Sequence, residues 1–206
     1  MEQDRARVYI VDDDRELCAS LSWLLDSVGI KSESYYSVQS FLDGYRSDVP
    51  ACLVLDVRMP EVGGFALQER LVADESPIPI VFVSAHGDIK MSVRALQKGA
   101  LTFLEKPYDP QHMLDVVQDA LRVAGQRFAE RATIGELRSR IDALTPRERE
   151  ILAMVIDGMP SKNIARALGI SVKTVDVHRT RIKEKTGADS IAVLVRDILQ
   201  AGISVT

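Results

Sequence analysis

Four aspartates, a serine and a lysine within the first 106 residues are placed to do chemistry together. Asp12, Asp13 and Asp14 follow one short apolar run, Asp56 a second, Ser84 a third and Lys106 a fourth. Carboxylates gathered round one point repel each other, and a hard divalent cation relieves that repulsion. Mg2+ (or Mn2+) takes carboxylate oxygen, water and substrate phosphate. An aspartate in such a cluster can attack phosphorus and become an aspartyl phosphate. A lysine can then neutralise one phosphoryl oxygen and a serine hydroxyl can bond another. Pro107 follows Lys106, so a cis peptide there would aim the lysine inward.

Each piece also has an ordinary reading. A run of acids after a strand suits the positive end of a helix. A lone Asp, Ser or Lys in a loop is common. The site reading gains because every piece falls at a strand end, in order.

The elements that must position these residues alternate in type. Residues 7–11, 31–36, 51–55, 78–83 and 101–104 read as strands, and 51–55 is apolar throughout, as in a strand covered on both faces. Residues 15–28, 37–45, 64–74, 88–97 and a stretch opened by Asp109 read as helices. In the first of these, Leu17, Leu21, Leu24, Leu25 and Val28 keep helical spacing before Gly29. Five strand-helix repeats imply the α/β class with a doubly wound, five-stranded parallel sheet. Such sheets bind ligands at the carboxyl ends of their strands, where strand order reverses.

Residues 1–122 are expected to form this domain. Residues 123–143 are rich in Arg, Glu and Ala and contain Gly125 and Gly135, which reads as an extension of the fifth helix or a semi-flexible linker. Residues 144–206 read as four helices. The first opens with a capping box at Thr145-Pro146-Arg147-Glu148 and ends at Gly158. Ser161 is expected to cap the second, which stops at Gly169, and Ser171 the third, which runs to about Thr186. Asp189 or Ser190 opens the last.

Composition narrows the classes. With 46% hydrophobic and 27% charged residues, the chain can build packed cores. No apolar run approaches the ~18 residues that span a bilayer. The charged N-terminus carries no apolar signal segment, so no membrane partner and a cytoplasmic location are expected. Cys18 and Cys52 lie in apolar runs without CxxC spacing and read as buried thiols in a reducing compartment. The net charge of −4 is unevenly spread. Residues 1–125 hold 12 basic and 20 acidic residues, whereas 126–206 hold 14 and 10, with a basic cluster over 161–185. That asymmetry fits a nucleic-acid-binding tail on a module that does not bind nucleic acid.

Val11-Asp12-Asp13, Leu55-Asp56-Val57-Arg58-Met59-Pro60, Ser84-Ala85 and Glu105-Lys106-Pro107 resemble the receiver domain of two-component response regulators over residues 7 to about 122. The resemblance implies that Asp56 is the phosphoacceptor, served by a sensor histidine kinase. It implies that Asp13, Asp56 and the backbone carbonyl of Arg58 ligate Mg2+, with Asp12 in the outer shell. It makes Ser84 the switch hydroxyl, where many receivers have Thr, and Phe103 the aromatic that turns inward with it. On the face that then changes shape lie Ile89, Val93, Arg94, Gln97, Lys98 and Phe103. The only catalysis implied is self-phosphorylation from a donor and slow loss of that phosphoryl group.

The tail from Leu144 to Ile198 resembles the LuxR-type helix-turn-helix, and the whole order of elements resembles the NarL/FixJ group. Leu144-Thr145-Pro146-Arg147-Glu148-Arg149-Glu150, Lys162-Asn163-Ile164-Ala165, Leu168-Gly169-Ile170-Ser171 and Thr174-Val175-Asp176-Val177-His178 carry it. Two short helices round a tight glycine turn can lay the second in a major groove. Val175, Ile182 and Val177 compete for its core face; Lys173, Asp176, Arg179, Thr180 and Lys183 are candidates for the outer one. The resemblance places Asp176, Val177 and Thr180 at base-reading positions. Lys162, Lys173, His178, Arg179 and Arg181 suit phosphate contacts, and Thr174 is a further contact. Asp176 can accept from cytosine N4. Some relatives have lysine there, so their recognition sequence does not transfer. Ser161 stands where asparagine is usual. Ile191, Leu194, Val195 and Ile198 keep helical spacing in the last helix, part of it core and the rest expected to pair two copies on promoter DNA. RNA polymerase is a further expected partner.

Three other readings fit less well. A Mg2+-dependent phosphatase lacks a second acid close after Asp56. A nucleotide-binding domain lacks both GxGxxG and GxxxxGK[ST]. A regulator whose receiver is a phosphorylation-independent interaction module leaves the intact set Asp13, Asp56, Ser84 and Lys106 without a use.

Overall fold

The computed structural model describes residues 6–85 and 89–205. It divides into two compact units, Met1–Ala129 and Glu130–Thr206.

In the first unit, strands β1 (Arg7–Val11), β2 (Lys31–Tyr35), β3 (Ala51–Asp56), β4 (Ile80–Ser84) and β5 (Thr102–Glu105) alternate with helices α1 (Arg15–Ser27), α2 (Val38–Gly44), α3 (Gly64–Ala73) and α4 (Ile89–Gln97). Helix α5 (Pro110–Asp142) follows β5. The five strands are parallel in the order β2-β1-β3-β4-β5. Successive side chains in a strand point to opposite faces. Accordingly Val8, Ile10, Cys52, Val54, Val81 and Val83 pack under α1 and α5, and Tyr9, Val11, Leu53, Leu55 and Phe82 under α2 and α3. Every residue of β3 and β4 is buried, which explains their unbroken apolar runs. β2 is an edge strand and reads Lys-Ser-Glu-Ser-Tyr. Cys18 and Cys52 are free and buried, and burial pushes the Cys52 thiol up to about 12.

The sequence ranges hold to within two residues at most ends. The exception is α4, whose expected start at Asp88 lies outside the described residues.

Residues 123–142 do not form a separate element. They continue α5 without interruption, Gly125 and Gly135 included. Ala124 is buried in the first unit, while Ile141 and Leu137 join the core of the second.

That second core takes Leu144, Ile151, Leu152, Ile164, Val175, Ile182, Leu194 and Ile198. These come from α6 (Pro146–Ile156), α7 (Ser161–Leu168), α8 (Val172–Thr186) and α9 (Ile191–Gln200), with Leu144 just before α6. The capping box at Thr145 and Glu148 is complete. Glu148 is buried and also accepts from Lys185 Nζ at 2.7 Å. Gly169 has φ +65 between α7 and α8, a left-handed conformation that glycine takes without strain. Ser171 caps α8 as expected, and of Asp189 and Ser190 it is Ser190 that caps α9. Ser161 does not cap α7: Pro160 holds the N-cap position with no side-chain bond, and Ser161 is already helical. Among the described residues no helix is long and apolar enough to cross a membrane.

Candidate functional site

The strand order places β1 between β2 and β3, so the ends of β1, β3, β4 and β5 form a row. Val11 pairs with Leu55, Asp56 with Val83, and Ser84 with Glu105. Asp12, Asp56, Ser84 and Lys106 therefore meet at one edge. Lys106 Nζ lies 2.6 Å from Asp12 Oδ2 and 3.0 Å from Asp56 Oδ1. The peptide between Lys106 and Pro107 is cis. The Lys106 backbone N–H donates to the Ser84 carbonyl at 2.8 Å. Asp12 is 3% exposed, Asp56 6% and Ser84 1%.

The remaining carboxylate oxygens are held by backbone. Asp14 N–H donates to Asp12 Oδ1 at 3.0 Å, and Arg58 N–H to Asp56 Oδ2 at 2.7 Å. The three consecutive acids thus divide their work. Asp14 caps α1, accepting from the N–H groups of Glu16 and Leu17. Asp12 turns into the site, and Asp13 is exposed beside it. The helix-terminus reading of the acidic run is correct for Asp14 alone.

Burial raises the Asp56 carboxyl above its ordinary range, outweighing the ammonium of Lys106. For Lys106 burial acts the other way, but its two carboxylate partners prevail and hold its pKa above normal. Asp12, Asp13 and Asp56 carry three formal negative charges against the single positive charge of Lys106, an excess that a divalent cation would offset. Among the described residues no three His, Cys, Asp or Glu side chains stand close enough to hold a metal between them. Mg2+ does not need three, because it binds through one or two carboxylates and completes its shell with water and phosphate. The donor set fits that ion.

Two residues the sequence did not single out shape this edge. A Cβ on Gly64 would stand 2.3 Å from the Asp56 carbonyl oxygen and 3.0 Å from Phe82. Only glycine lets α3 start so close to Asp56. The Gly63-Gly64 pair was the available signal. Gln68 is fully buried in α3 and donates to the carbonyls of Ala95 and Lys98 at 3.0 and 3.1 Å. It ties α3 to the end of α4, where Glu69 also pairs with Arg94 and Lys98. Nothing in the helical pattern marked it. On α4, Ile89 and Val93 are exposed, and Leu96 extends their stripe. Phe103 is half-buried, its ring 6.5 Å from that of Phe82.

In the second unit Val175 and Ile182 are buried, while Val177 is 43% exposed and leaves the core face it was expected to compete for. Lys162, Lys173, Asp176, Thr180 and Arg181 are exposed, and Thr174, His178 and Arg179 partly so. Thr174 shares its hydroxyl with the Ser171 cap at 2.8 Å, and Thr180 Oγ1 donates to the Asp176 carbonyl at 3.1 Å. Ser161 Oγ donates to Asp176 Oδ1 at 3.0 Å and accepts from Arg179 Nη1 at 3.2 Å.

The response regulator receiver domain family matches residues 8–118, and the bacterial regulatory proteins of the luxR family match 142–197. The chain is 36% identical over 199 residues to the transcriptional regulatory protein FixJ of Bradyrhizobium diazoefficiens, covering 97% of each. It is 40% identical to the response regulator protein TodT of Pseudomonas putida, over 94% of this chain and 86% of that one. The solved structure of the response regulator StyR superposes with a TM-score of 0.77 at 41% identity, over 95% of this chain and 99% of that one. This chain is a response regulator of the NarL/FixJ type.

The response regulator carries a receiver and a LuxR-type DNA-binding domain, and it regulates transcription. One expected surface of this regulator needs correction. Leu194 and Ile198 are each 1% exposed and belong to the core, so they have no surface to offer a second copy. Ile191 and Val195 are half-buried, Ile191 packed on the core. The large apolar side chain that α9 exposes is Leu199, at 62%.

Proposed function

We propose that this response regulator is switched by phosphorylation of Asp56 and that the switch governs DNA binding by α7 and α8. The observation that supports it best is Lys106 bridging Asp12 and Asp56 at the edge of the sheet. A sensor histidine kinase is the expected donor. A carboxylate oxygen of Asp56 bonds to phosphorus, the phosphorus–nitrogen bond of phospho-histidine breaks, and the electron pair leaves with the imidazole.

Asp13, Asp56 and the Arg58 carbonyl would hold Mg2+, or Mn2+, with Asp12 in the outer shell. Bound there, the ion neutralises charge on the phosphoryl oxygens. Arg58 N–H keeps Asp56 oriented. Lys106, already within 3.0 Å of Asp56, follows the new negative charge, and the Ser84 hydroxyl moves to another phosphoryl oxygen. Phe103 then repacks, and the face built from α4, β5 and α5 changes shape. This is a local charge event biasing a two-state element. Chemistry is confined to this transfer and slow self-dephosphorylation.

The output is relief of the DNA-binding domain, pairing of receivers, or both. Two copies then occupy a pseudo-palindromic promoter site. Lys162, Lys173, His178, Arg179 and Arg181 meet phosphates; Asp176, Val177 and Thr180 face base edges, with Thr174 beside them. On α9, Val195 and Leu199 supply the pairing surface. Such a regulator works where the DNA is, in the cytoplasm.

The test is selection of duplexes from a random pool with and without acetyl phosphate and Mg2+. Phosphorylation should tighten binding to a pseudo-palindrome, and Asp56→Ala should abolish both labelling and the gain. Equal binding in both states would keep the DNA-binding domain and discard phosphorylation as its control.

A further inference from the structure

The hydroxyl of Ser161 is not used where its position would place it. It opens α7 but leaves that helix uncapped and instead reaches α8. Its proton goes to Asp176 Oδ1 at 3.0 Å, and its lone pair accepts from Arg179 Nη1 at 3.2 Å. Arg179 and Asp176 make no direct ion pair among the described residues; the serine stands between them. The relay runs guanidinium to hydroxyl to carboxylate, and it crosses from the first helix of the motif to the second.

This changes the standing of the three side chains that face base edges. Val177 has no hydrogen-bonding group. Thr180 donates its proton to the Asp176 carbonyl of its own helix. Asp176 is exposed, its Oδ1 is fixed, and among the described residues nothing holds its Oδ2. A carboxylate only accepts hydrogen bonds. In the major groove the matching donor is an exocyclic amino group, above all cytosine N4. An acid beside phosphates is repelled, and Arg179 places positive charge next to it.

We propose that Ser161 is a specificity-determining positioning residue: with Arg179 it fixes the Asp176 carboxylate so that its free oxygen selects an amino-bearing base, cytosine, in each half-site. The proposal rests on the reading of α8 as the helix that enters the groove. It separates positioning from contact, since Ser161 itself need not touch DNA.

The full-length protein, treated with acetyl phosphate and Mg2+, is titrated with its selected duplex and with duplexes changed at the cytosine. The wild type should discriminate by about tenfold or more, and Asp176→Ala should erase this. Ser161→Ala should reduce discrimination at that base to about threefold or less. Its affinity for random duplex and the slope of log K against log salt should not change, because every cationic side chain that meets phosphate is retained. Ser161→Thr keeps the hydroxyl and should restore discrimination. The double variant Ser161→Ala/Asp176→Ala should lose no more than Asp176→Ala alone. Wild-type discrimination in Ser161→Ala, or an equal loss on every sequence, would overturn the proposal. Absence of salt-dependent duplex binding by the wild type itself would instead remove the DNA reading beneath it, a result visible before any variant is made.

Discussion

Lys106 satisfies two buried carboxylates with one ammonium, so this edge of the sheet is held together by charge that burial makes expensive to leave unpaired. The edge still carries an excess of negative charge. Mg2+ should therefore stabilise the protein by mass action, by roughly 2.7 kcal/mol at a hundredfold excess over its dissociation constant. Thermal unfolding against Mg2+ concentration checks this, and Asp13→Asn should flatten the rise. An unchanged midpoint up to millimolar Mg2+ would sink the ion site.

Glu148 offers a second test at this scale. Burial raises its pKa, but Lys185 and the backbone N–H of Thr145 outweigh burial and hold it below the ordinary 4.5. A group depressed on folding adds stability above its unfolded value, and that stability is lost as pH falls through the folded value. Glu148→Gln should cost about 1–3 kcal/mol at neutral pH. The gap to the wild type should close as pH drops below 4.5. Urea unfolding at several pH values measures it, and a gap independent of pH would refute the ionic role.

Elements matter through how closely they approach. α3 begins against the strand end that carries Asp56, at a distance only Gly64 allows. Gly64→Ala must push either the helix or the strand end at Asp56 aside. It should destabilise the receiver by about 1–3 kcal/mol, as overpacking does, and slow labelling of Asp56 by acetyl phosphate. Normal labelling with normal stability would show that the loop yields freely. α9 teaches the complementary lesson. Its stripe Ile191, Leu194, Val195 and Ile198 has the right period, but a period does not say which half of an apolar stripe is covered. Packing takes Leu194 and Ile198 for the core and leaves Leu199 outside.

At the scale of the whole molecule, two modules divide labour by charge. In the proposed switch the acidic receiver would take the phosphoryl group and the basic helices would meet DNA. Binding should weaken steeply with salt, and Lys162→Ala should lower the slope of log K against log salt by about one unit on any sequence. Leu199→Asp should abolish cooperative filling of two half-sites while leaving a single half-site bound, because the residue is exposed and its loss spares the core. Gel-shift titration of one-site and two-site duplexes separates these outcomes. Cooperative binding that survives the change would move the pairing surface off α9.

The sequence by itself determined what depends on neighbours along the chain. Strand and helix periods, the caps at Thr145 and Ser171, the buried run of β3, the acids and lysine at strand ends and the basic cluster near α8 are all local patterns, and each was legible. The tertiary structure decided what depends on distant residues meeting. Strand order set Asp12 beside Asp56 under one lysine that lies 50 positions from Asp56. Close packing made Gly64 obligatory and drew Gln68 across to α4. Helix crossing turned Ser161 from an expected cap into a partner of Asp176. Local sequence carries propensity and period, whereas burial and partnership are properties of surfaces that exist only once the chain has folded.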